Sequence, residues 1–262
     1  MKRTLIEKPD LAAFPKEAAE YLDGAAVYDS SCSPEARVYF IDKGNGYYLK
    51  ASPMGTLKKE AEMTRFFSGM GLSAEVIFYV QTDKDWLLTK KIDGEDCTDS
   101  EYLSDPERLC DTLAKLLRKL HETKATDCPI KNRTAEYLQT LKENYEAGMF
   151  DPTYCCSEYR NMSAKEVYEI AKRGNDLLSC DTLIHGDYCL PNIMLKDWNF
   201  SAFIDLGNGG IADRHIDLYW AIWTLEFNLK TDRYASRFID AYGRELVDIE
   251  KLKLISAIEA FG

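Results

Sequence analysis

The sequence predicts an α+β protein of two lobes, a small β-rich one followed by a larger, mostly helical one. Three observations carry that expectation. Alternating apolar runs crowd into the first ninety residues. Apolar residues at three- and four-residue spacing dominate beyond residue 106. Residues 182–205 interrupt the helical pattern with apolar triplets around polar punctuation. The chain has 262 residues, 45% of them apolar, enough to fill a core of its own.

Taken in order, residues 15–22 predict an opening helix. Two β-rich runs follow, 37–42 (RVYFID) and 46–51 (GYYLKA), joined by Lys43, Gly44 and Asn45, where Gly and Asn accept the positive φ of a hairpin turn. Residues 58–68 (KKEAEMTRFFS) read as an amphipathic helix stopped by Gly69. Strands are expected at 75–80 (EVIFYV) and 86–90 (WLLTK), after which Asp93-Gly94 breaks the chain. A helix over 107–123 places Leu109, Leu113, Leu116, Leu117 and Leu120 on one face. Further helices are expected over 137–147, 164–178, 217–227, 234–242 and 249–261. The expected division is 1–90 for the first lobe, 91–95 for a hinge and 96–262 for the second, with the lobes packed across a cleft.

Acidic residues outnumber basic ones 44 to 33, for a formal charge of −11. That balance argues against nucleic acid and anionic membrane as partners, because both require Lys and Arg to dominate. No apolar run approaches the roughly 20 residues of a membrane span, and the opening MKRTLIEKPDLAAF has no continuous apolar stretch of the secretory kind. Eight cysteines without a C-x-x-C pair, beside three histidines, read as reduced thiols in a cytoplasmic protein. The acid-rich run 93–107 reads as a solvated face.

The informative stretch is 183–205, LIHGDYCLPNIMLKDWNFSAFID, followed by Leu206-Gly207. It contains His185-x-Asp187-x-x-x-x-Asn192, then Asp205-Leu206-Gly207 eighteen residues after Asp187. Phosphotransfer enzymes use the same spacing for a catalytic-loop Asp, a metal-holding Asn and a metal-holding Asp. The chemistry explains the residue types. Charge spread over a transferring phosphoryl group calls for Mg²⁺, which takes hard oxygen ligands, and the attacking hydroxyl needs a carboxylate to relieve it of its proton. His185 reads as a brace for the loop. Such chemistry also needs a strand lysine for the phosphates and a helix glutamate to hold it. Lys50 fits the first role, and Glu60 or Glu62 the second. Residues 30–35 (SSCSPE) stand where a phosphate loop is expected. Backbone N–H groups and a serine hydroxyl can hold a phosphate there, although an ordinary Ser-Pro turn fits the same residues.

HGDYCLPNIM, FIDLGNGGIADRHIDL and GYYLKAS together resemble the aminoglycoside O-phosphotransferases of the 3′-hydroxyl type. The likeness extends through SPEARVYFI, KKEAEMTRFF, WLLTKKIDG and LHETKATDCP over nearly the whole chain. The resemblance implies a protein-kinase-like two-lobe fold, ATP or GTP as co-substrate, Mg²⁺, and a small cationic acceptor. It makes Asp187 the catalytic base, and Asn192 and Asp205 the metal ligands. On the nucleotide it implies Lys50 at the phosphates with Glu60 as its partner, Ser33 in the phosphate loop, Tyr48 on the purine, and the backbone of Lys90 through Ile92 at the base edge. Asp217, with His185, is implied to brace the catalytic loop.

On the acceptor side the resemblance implies Asp151 and Glu158 from a helical insertion, and Glu259, Phe261 and Gly262 from the tail. Here the chain departs from the family pattern. Ile258 stands where a second acid is usual, Gly262 extends the tail by one residue, and Asn208 replaces a frequent Arg. Trp220, Trp223 and Phe227 share one helical face and read as core rather than as a platform for sugars. The degraded tail acids keep open a kinase of an amino sugar or choline-like metabolite; a catalytically silent nucleotide-binding homologue is a further reading, against which the intact Lys50, Asp187, Asn192 and Asp205 set argues. A protein kinase is disfavoured, because ten residues from Gly207 to Asp217 leave no room for a long activation segment. Oligomeric state is not encoded in any motif found.

Overall fold

A computed structural model describes residues 3–32 and 36–262. The chain divides into two compact units. The first holds the chain up to Asp99 together with Pro191–Asn208; the second holds Ser100–Leu190 and Gly209–Gly262.

The first unit is built on strands β1 (Thr4–Leu5), β2 (Ala26–Asp29), β3 (Arg37–Asp42), β4 (Tyr47–Ser52), β5 (Val76–Gln81) and β6 (Asp85–Lys90). They form an antiparallel sheet in the order β1-β2-β3-β4-β6-β5. Period-two alternation gives the sheet two distinct faces. Leu49 and Ala51 of β4 join Trp86 and Leu88 of β6 in a core with Ala18, Leu22, Val27 and Ile41. Leu87 points the other way and packs with Leu57 and Ala61 of the segment entering α2 (Lys58–Gly69). The expected opening helix is a 3₁₀ turn, Lys16–Ala18, running into one α turn, α1 (Ala19–Leu22).

A second, three-stranded sheet pairs β7 (Glu95–Asp96) with β9 (Ile193–Lys196), and β9 with β10 (Asn199–Phe203). Chain order groups 191–208 with the helices, but the register Glu95↔Leu195 draws it into the first unit. Gly94 makes this approach possible: its φ is +109°, and a Cβ there would collide with the Leu195 carbonyl.

The second unit contains α3 (Ser100–Leu103), α4 (Pro106–His121), α5 (Arg133–Glu146), α6 (Ala164–Ala171), α7 (Gly174–Leu177), α8 (His215–Leu229), α9 (Ala235–Tyr242) and α10 (Ile249–Glu259). A short antiparallel pair, β8 (Thr182–Ile184) with β11 (Gly210–Ala212), flanks the loop after β8. Its core gathers Val167 and Ala171 of α6, Ile216 and Tyr219 of α8, and Leu254, Ile255 and Ile258 of α10, closed by Phe261. The helix expected over 164–178 is broken into α6 and α7, and Gly174 sits where a Cβ would come within 2.8 Å of Leu138. Part of the acidic run is structural. Asp105 caps α4 by accepting the Arg108 N–H, and Glu107 pairs with Arg237 at 3.0 Å. No helix among the described residues is long and apolar enough to cross a membrane.

Candidate active site

Lys50 lies on the α2 side of β4, opposite Leu87 across the strand pair. Glu60, Ala61, Thr64 and Phe67 form the buried stripe of α2, so Glu60 rather than the less buried Glu62 meets the lysine. Lys50 Nζ donates to Glu60 Oε2 at 2.7 Å and to Asp205 Oδ1 at 3.0 Å. Burial disfavours the ammonium, but the Glu60 and Asp205 carboxylates overcome that and hold Lys50 above its ordinary pKa. Burial raises Glu60, and the Asp205 carboxylate adds to this, while the Lys50 ammonium offsets part of it. Glu60 keeps only 11% of its side-chain surface, against 51% for Asp205, so the cluster is closed at the glutamate and open at the aspartate.

Asn192 ends a 3₁₀ turn, Leu190–Asn192, just before β9, and Asp205 follows β10. The Ile204 N–H donates to the Asn192 carbonyl at 3.0 Å, closing the base of the β9–β10 hairpin. The thirteen-residue separation in sequence therefore becomes proximity at one end of a hairpin. Asp205 has φ +57°, a left-handed conformation that Asp tolerates better than most residues. The two supply an amide and a carboxylate oxygen, which suit Mg²⁺. Among the described residues no group of three or more His, Cys, Asp or Glu could hold an ion unaided. The donor set fits an ion whose coordination is completed by oxygens of a bound ligand.

In the second unit, β8 leads into His185-Gly186-Asp187. Asp217, fully buried in the first turn of α8, accepts the His185 N–H on Oδ2 and the Gly186 N–H on Oδ1, each at 2.7 Å. Gly186 takes φ +85° to make this turn. The Asp187 N–H donates to His185 Nδ1 at 3.3 Å, and His185 is itself fully buried. Both residues thus hold the backbone around Asp187, which stays partly exposed. Sequence reading missed His121 and Tyr242. His121 Nε2 lies 3.2 Å from Asp217 Oδ2, and its Nδ1 lies 2.8 Å from the Tyr242 hydroxyl. The available signal was a histidine ending the apolar stripe of α4, where a solvated helix end would be the ordinary reading.

Of the nucleotide residues, Tyr48 shares the Lys50 face of β4, two residues away, and its hydroxyl accepts from Arg3 at 2.7 Å. The Lys90 and Lys91 N–H groups donate within the sheet, to the Glu75 and Gly46 carbonyls, and Ile92 follows the end of β6. Ser33 lies outside the described residues.

The acceptor residues divide. Glu259 is buried, and its Oε1 accepts from the Tyr137 hydroxyl at 2.7 Å and from Trp220 Nε1 at 3.0 Å. Burial pushes its carboxyl up to about 7, against the two hydrogen bonds and with help from the Asp187 carboxylate. Asp151 instead caps the 3₁₀ turn Pro152–Tyr154, accepting from the Thr153 N–H and hydroxyl. Glu158 pairs with Lys253 at 2.7 Å. The Phe261 ring is core, packed against Tyr145, Phe150 and Tyr168, and Gly262 is exposed beyond it. Trp220 and Trp223 pack on the core as expected; Phe227 does not, being 55% exposed.

A family model described as the APH phosphotransferase enzyme family matches residues 34–255. A probable aminoglycoside 3′-phosphotransferase of Lactococcus lactis subsp. lactis (strain IL1403) is 46% identical over 254 residues, 97% of this chain and 97% of its own. The aminoglycoside 3′-phosphotransferase of Niallia circulans is 26% identical over 223 residues, 84% of this chain and 85% of its own. Among solved structures, aminoglycoside-3′-phosphotransferase of type VIII covers 95% of this chain and 100% of its own, with TM-score 0.77 and 22% identity. The phosphotransferase APH(3″)-Id of Streptomyces rimosus ATCC10970, solved with ADP and streptomycin, covers 97% and 99%, with TM-score 0.72 and 21% identity. Those structural likenesses establish the fold, an α+β architecture of β-rich and helical parts.

Proposed function

The chain belongs to the APH phosphotransferase enzyme family, and from that membership we propose that it transfers the γ-phosphate of a nucleoside triphosphate to a hydroxyl of an aminoglycoside. The observation that carries this reading is Lys50, whose ammonium is bonded at once to Glu60 and to Asp205. A lysine held by a buried glutamate and touching a metal-type aspartate is the arrangement with which kinases hold a triphosphate. ATP is the donor supported by the ADP in the Streptomyces rimosus structure. The acceptor class is supported by the Lactococcus relative. Reduced cysteines support a cytoplasmic setting for the activity.

The two units divide the work in this proposal. Lys50, Glu60, Tyr48, Lys90, Ile92, Asn192 and Asp205 all belong to the first, which we assign to nucleotide and cation. Lys50 neutralises phosphate oxygens, and Glu60 keeps its ammonium aimed. Asn192 and Asp205 would hold Mg²⁺, which when bound offsets the charge developing on the transferred group. Asp187, in the second unit, takes the proton of the acceptor hydroxyl as that oxygen attacks the γ-phosphorus and ADP leaves. Asp217 holds the His185 and Gly186 N–H groups, so the carboxylate of Asp187 needs no backbone rearrangement to act.

The test is a coupled ATP-turnover screen over kanamycin, hygromycin B, glucosamine and choline with Mg²⁺ present. Turnover with kanamycin supports the reading. Turnover confined to glucosamine or choline overturns the acceptor class, and none at all with binding of ATP intact points to the silent homologue.

A further inference from the structure

We infer that the outer face of Phe227, backed by a stack with Trp223 and Tyr154, takes an ammonium-bearing ring of the acceptor; this rests on the aminoglycoside reading above and narrows it. Trp220, Trp223 and Phe227 follow one another on a single face of α8 at three- and four-residue spacing. Tyr154 stacks on Trp223 with ring centroids 5.8 Å apart and planes 23° apart, and Trp223 stacks on Phe227 at 5.0 Å and 9°. Trp220 meets Trp223 edge-on at 5.4 Å.

Both ends of this ladder are tied to named groups. The turn carrying Tyr154 is fastened by the Asp151 N–H to the Ala260 carbonyl at 2.7 Å, and by the Tyr219 hydroxyl to the Tyr154 carbonyl at 2.7 Å. At the inner end Trp220 donates to Glu259, whose ionisation the Asp187 carboxylate opposes. The stack therefore runs from the turn that carries Tyr154 out to Phe227, an exposed ring at its far end. Glu259 acts as a positioning residue, holding Trp220 rather than meeting the acceptor.

The occupant is read from the ring itself. Lys230 Nζ lies 4.2 Å from the Phe227 centroid. Trp223 covers one face of that ring, so the ammonium takes the other, where the π-quadrupole attracts cations. Lys230 is exposed at the left-handed C-terminal cap of α8, on a flexible stem that a competing ammonium can displace. The acids that the resemblance gives to acceptor amines already have partners within the chain: Asp151 accepts from Thr153, Glu158 pairs with Lys253, and Glu259 accepts from Tyr137 and Trp220. An aromatic face beside a displaceable lysine fits a pyranose or cyclitol ring that presents C–H groups and one ammonium.

The test compares wild type with Phe227→Ala, Phe227→Tyr and Lys230→Ala in steady-state kinetics with kanamycin and ATP, and by kanamycin quenching of tryptophan fluorescence without ATP. Phe227→Ala raises the KM for kanamycin about 3–10-fold, the range of a cation–π contact, with kcat and the KM for ATP unchanged. Phe227→Tyr restores the KM, and Lys230→Ala lowers it. An unchanged kanamycin KM in Phe227→Ala overturns the role of Phe227. The wild-type measurement decides the other question, since no kanamycin turnover there overturns the aminoglycoside reading. Quenching needs no chemistry and still decides the role of Phe227 in that case: quenching by wild type that Phe227→Ala loses upholds it, and quenching absent or retained overturns it.

Discussion

His121 and Asp217, 96 residues apart along the chain, meet at 3.2 Å inside the second unit. Burial holds His121 below its ordinary pKa although the Asp217 carboxylate works the other way. The ring is therefore neutral at pH 7, and the tautomer serving both contacts carries its proton on Nε2, donating to Asp217, while Nδ1 accepts from Tyr242. Tyr242, His121 and Asp217 thus form a relay that ends on the His185 and Gly186 N–H groups.

Breaking this relay has a defined cost. His121→Ala removes the imidazole N–H from a fully buried carboxylate and leaves the Tyr242 hydroxyl without its acceptor, a loss of about 1–3 kcal/mol. For a protein of this size that is a fall in Tm of about 3–10 °C, read by calorimetry. The kcat falls with it, while the KM for ATP holds. A Tm equal to wild type would show that the relay carries no stability.

Asp187→Ala lowers kcat by about 10²–10⁴, the usual contribution of a positioned base. ATP affinity, measured by calorimetric titration, stays at the wild-type value because Lys50, Asn192 and Asp205 belong to the other unit. Wild-type turnover in this variant would remove Asp187 from the role of base.

Lys50→Met removes two charge-assisted hydrogen bonds and leaves the buried Glu60 carboxylate without its counter-charge. We expect kcat/KM for ATP to fall by about 10–100-fold, from the worth of one lost hydrogen bond to a charged group. Glu60→Gln costs less, since Lys50 keeps its bond to Asp205. A Glu60→Gln variant as impaired as Lys50→Met would reverse that order.

Magnesium dependence should separate activity from stability. Chelation abolishes turnover and added Mg²⁺ restores it, yet without nucleotide the Tm is the same with and without the ion. Asn192 and Asp205 supply two ligands where Mg²⁺ takes six, so the ion gains little from the protein before phosphate oxygens join it. A Tm rise with Mg²⁺ alone would contradict this.

The raised pKa of Glu259 predicts a pH dependence of stability. Its carboxyl is pushed up to about 7 when folded, against about 4.3 in an unfolded chain. Between those values the folded protein binds more protons than the unfolded one, so stability is full below about pH 4 and declines as pH rises through 7, by about 4 kcal/mol in all. Glu259→Gln abolishes that decline while keeping an acceptor for Tyr137 and Trp220. Parallel stability curves for the two proteins from pH 4 to 8 would refute the assignment.

The residues we assign to nucleotide and base were legible in the sequence because their signals are local. Alternation along β4 puts Tyr48 and Lys50 on one face, and fixed spacings link Asp187, Asn192 and Asp205. The acceptor side was less legible. The resemblance implies Asp151 and Glu158 as ligands for amines; in the structure Asp151 caps a turn and Glu158 pairs with Lys253. Phe227 looks like core because its spacing matches Trp220 and Trp223, yet α8 has run past the core by that turn. The expected helix breaks at Lys172 and Arg173, and Gly174, which opens α7, leaves room for Leu138 of α5, a contact no local pattern announces.

What the sequence determined by itself is the alternation of elements, the face each side chain takes, and the residue types that phosphoryl transfer needs, since φ/ψ sterics and the periods of helix and strand act over a few residues. Tertiary structure alone decided that Glu60 outcompetes Glu62 for Lys50, that 191–208 joins the first unit through Glu95 and Leu195, and that His121 supports Asp217. Those outcomes turn on burial, strand pairing and counter-charge, which are set by groups far apart in the chain.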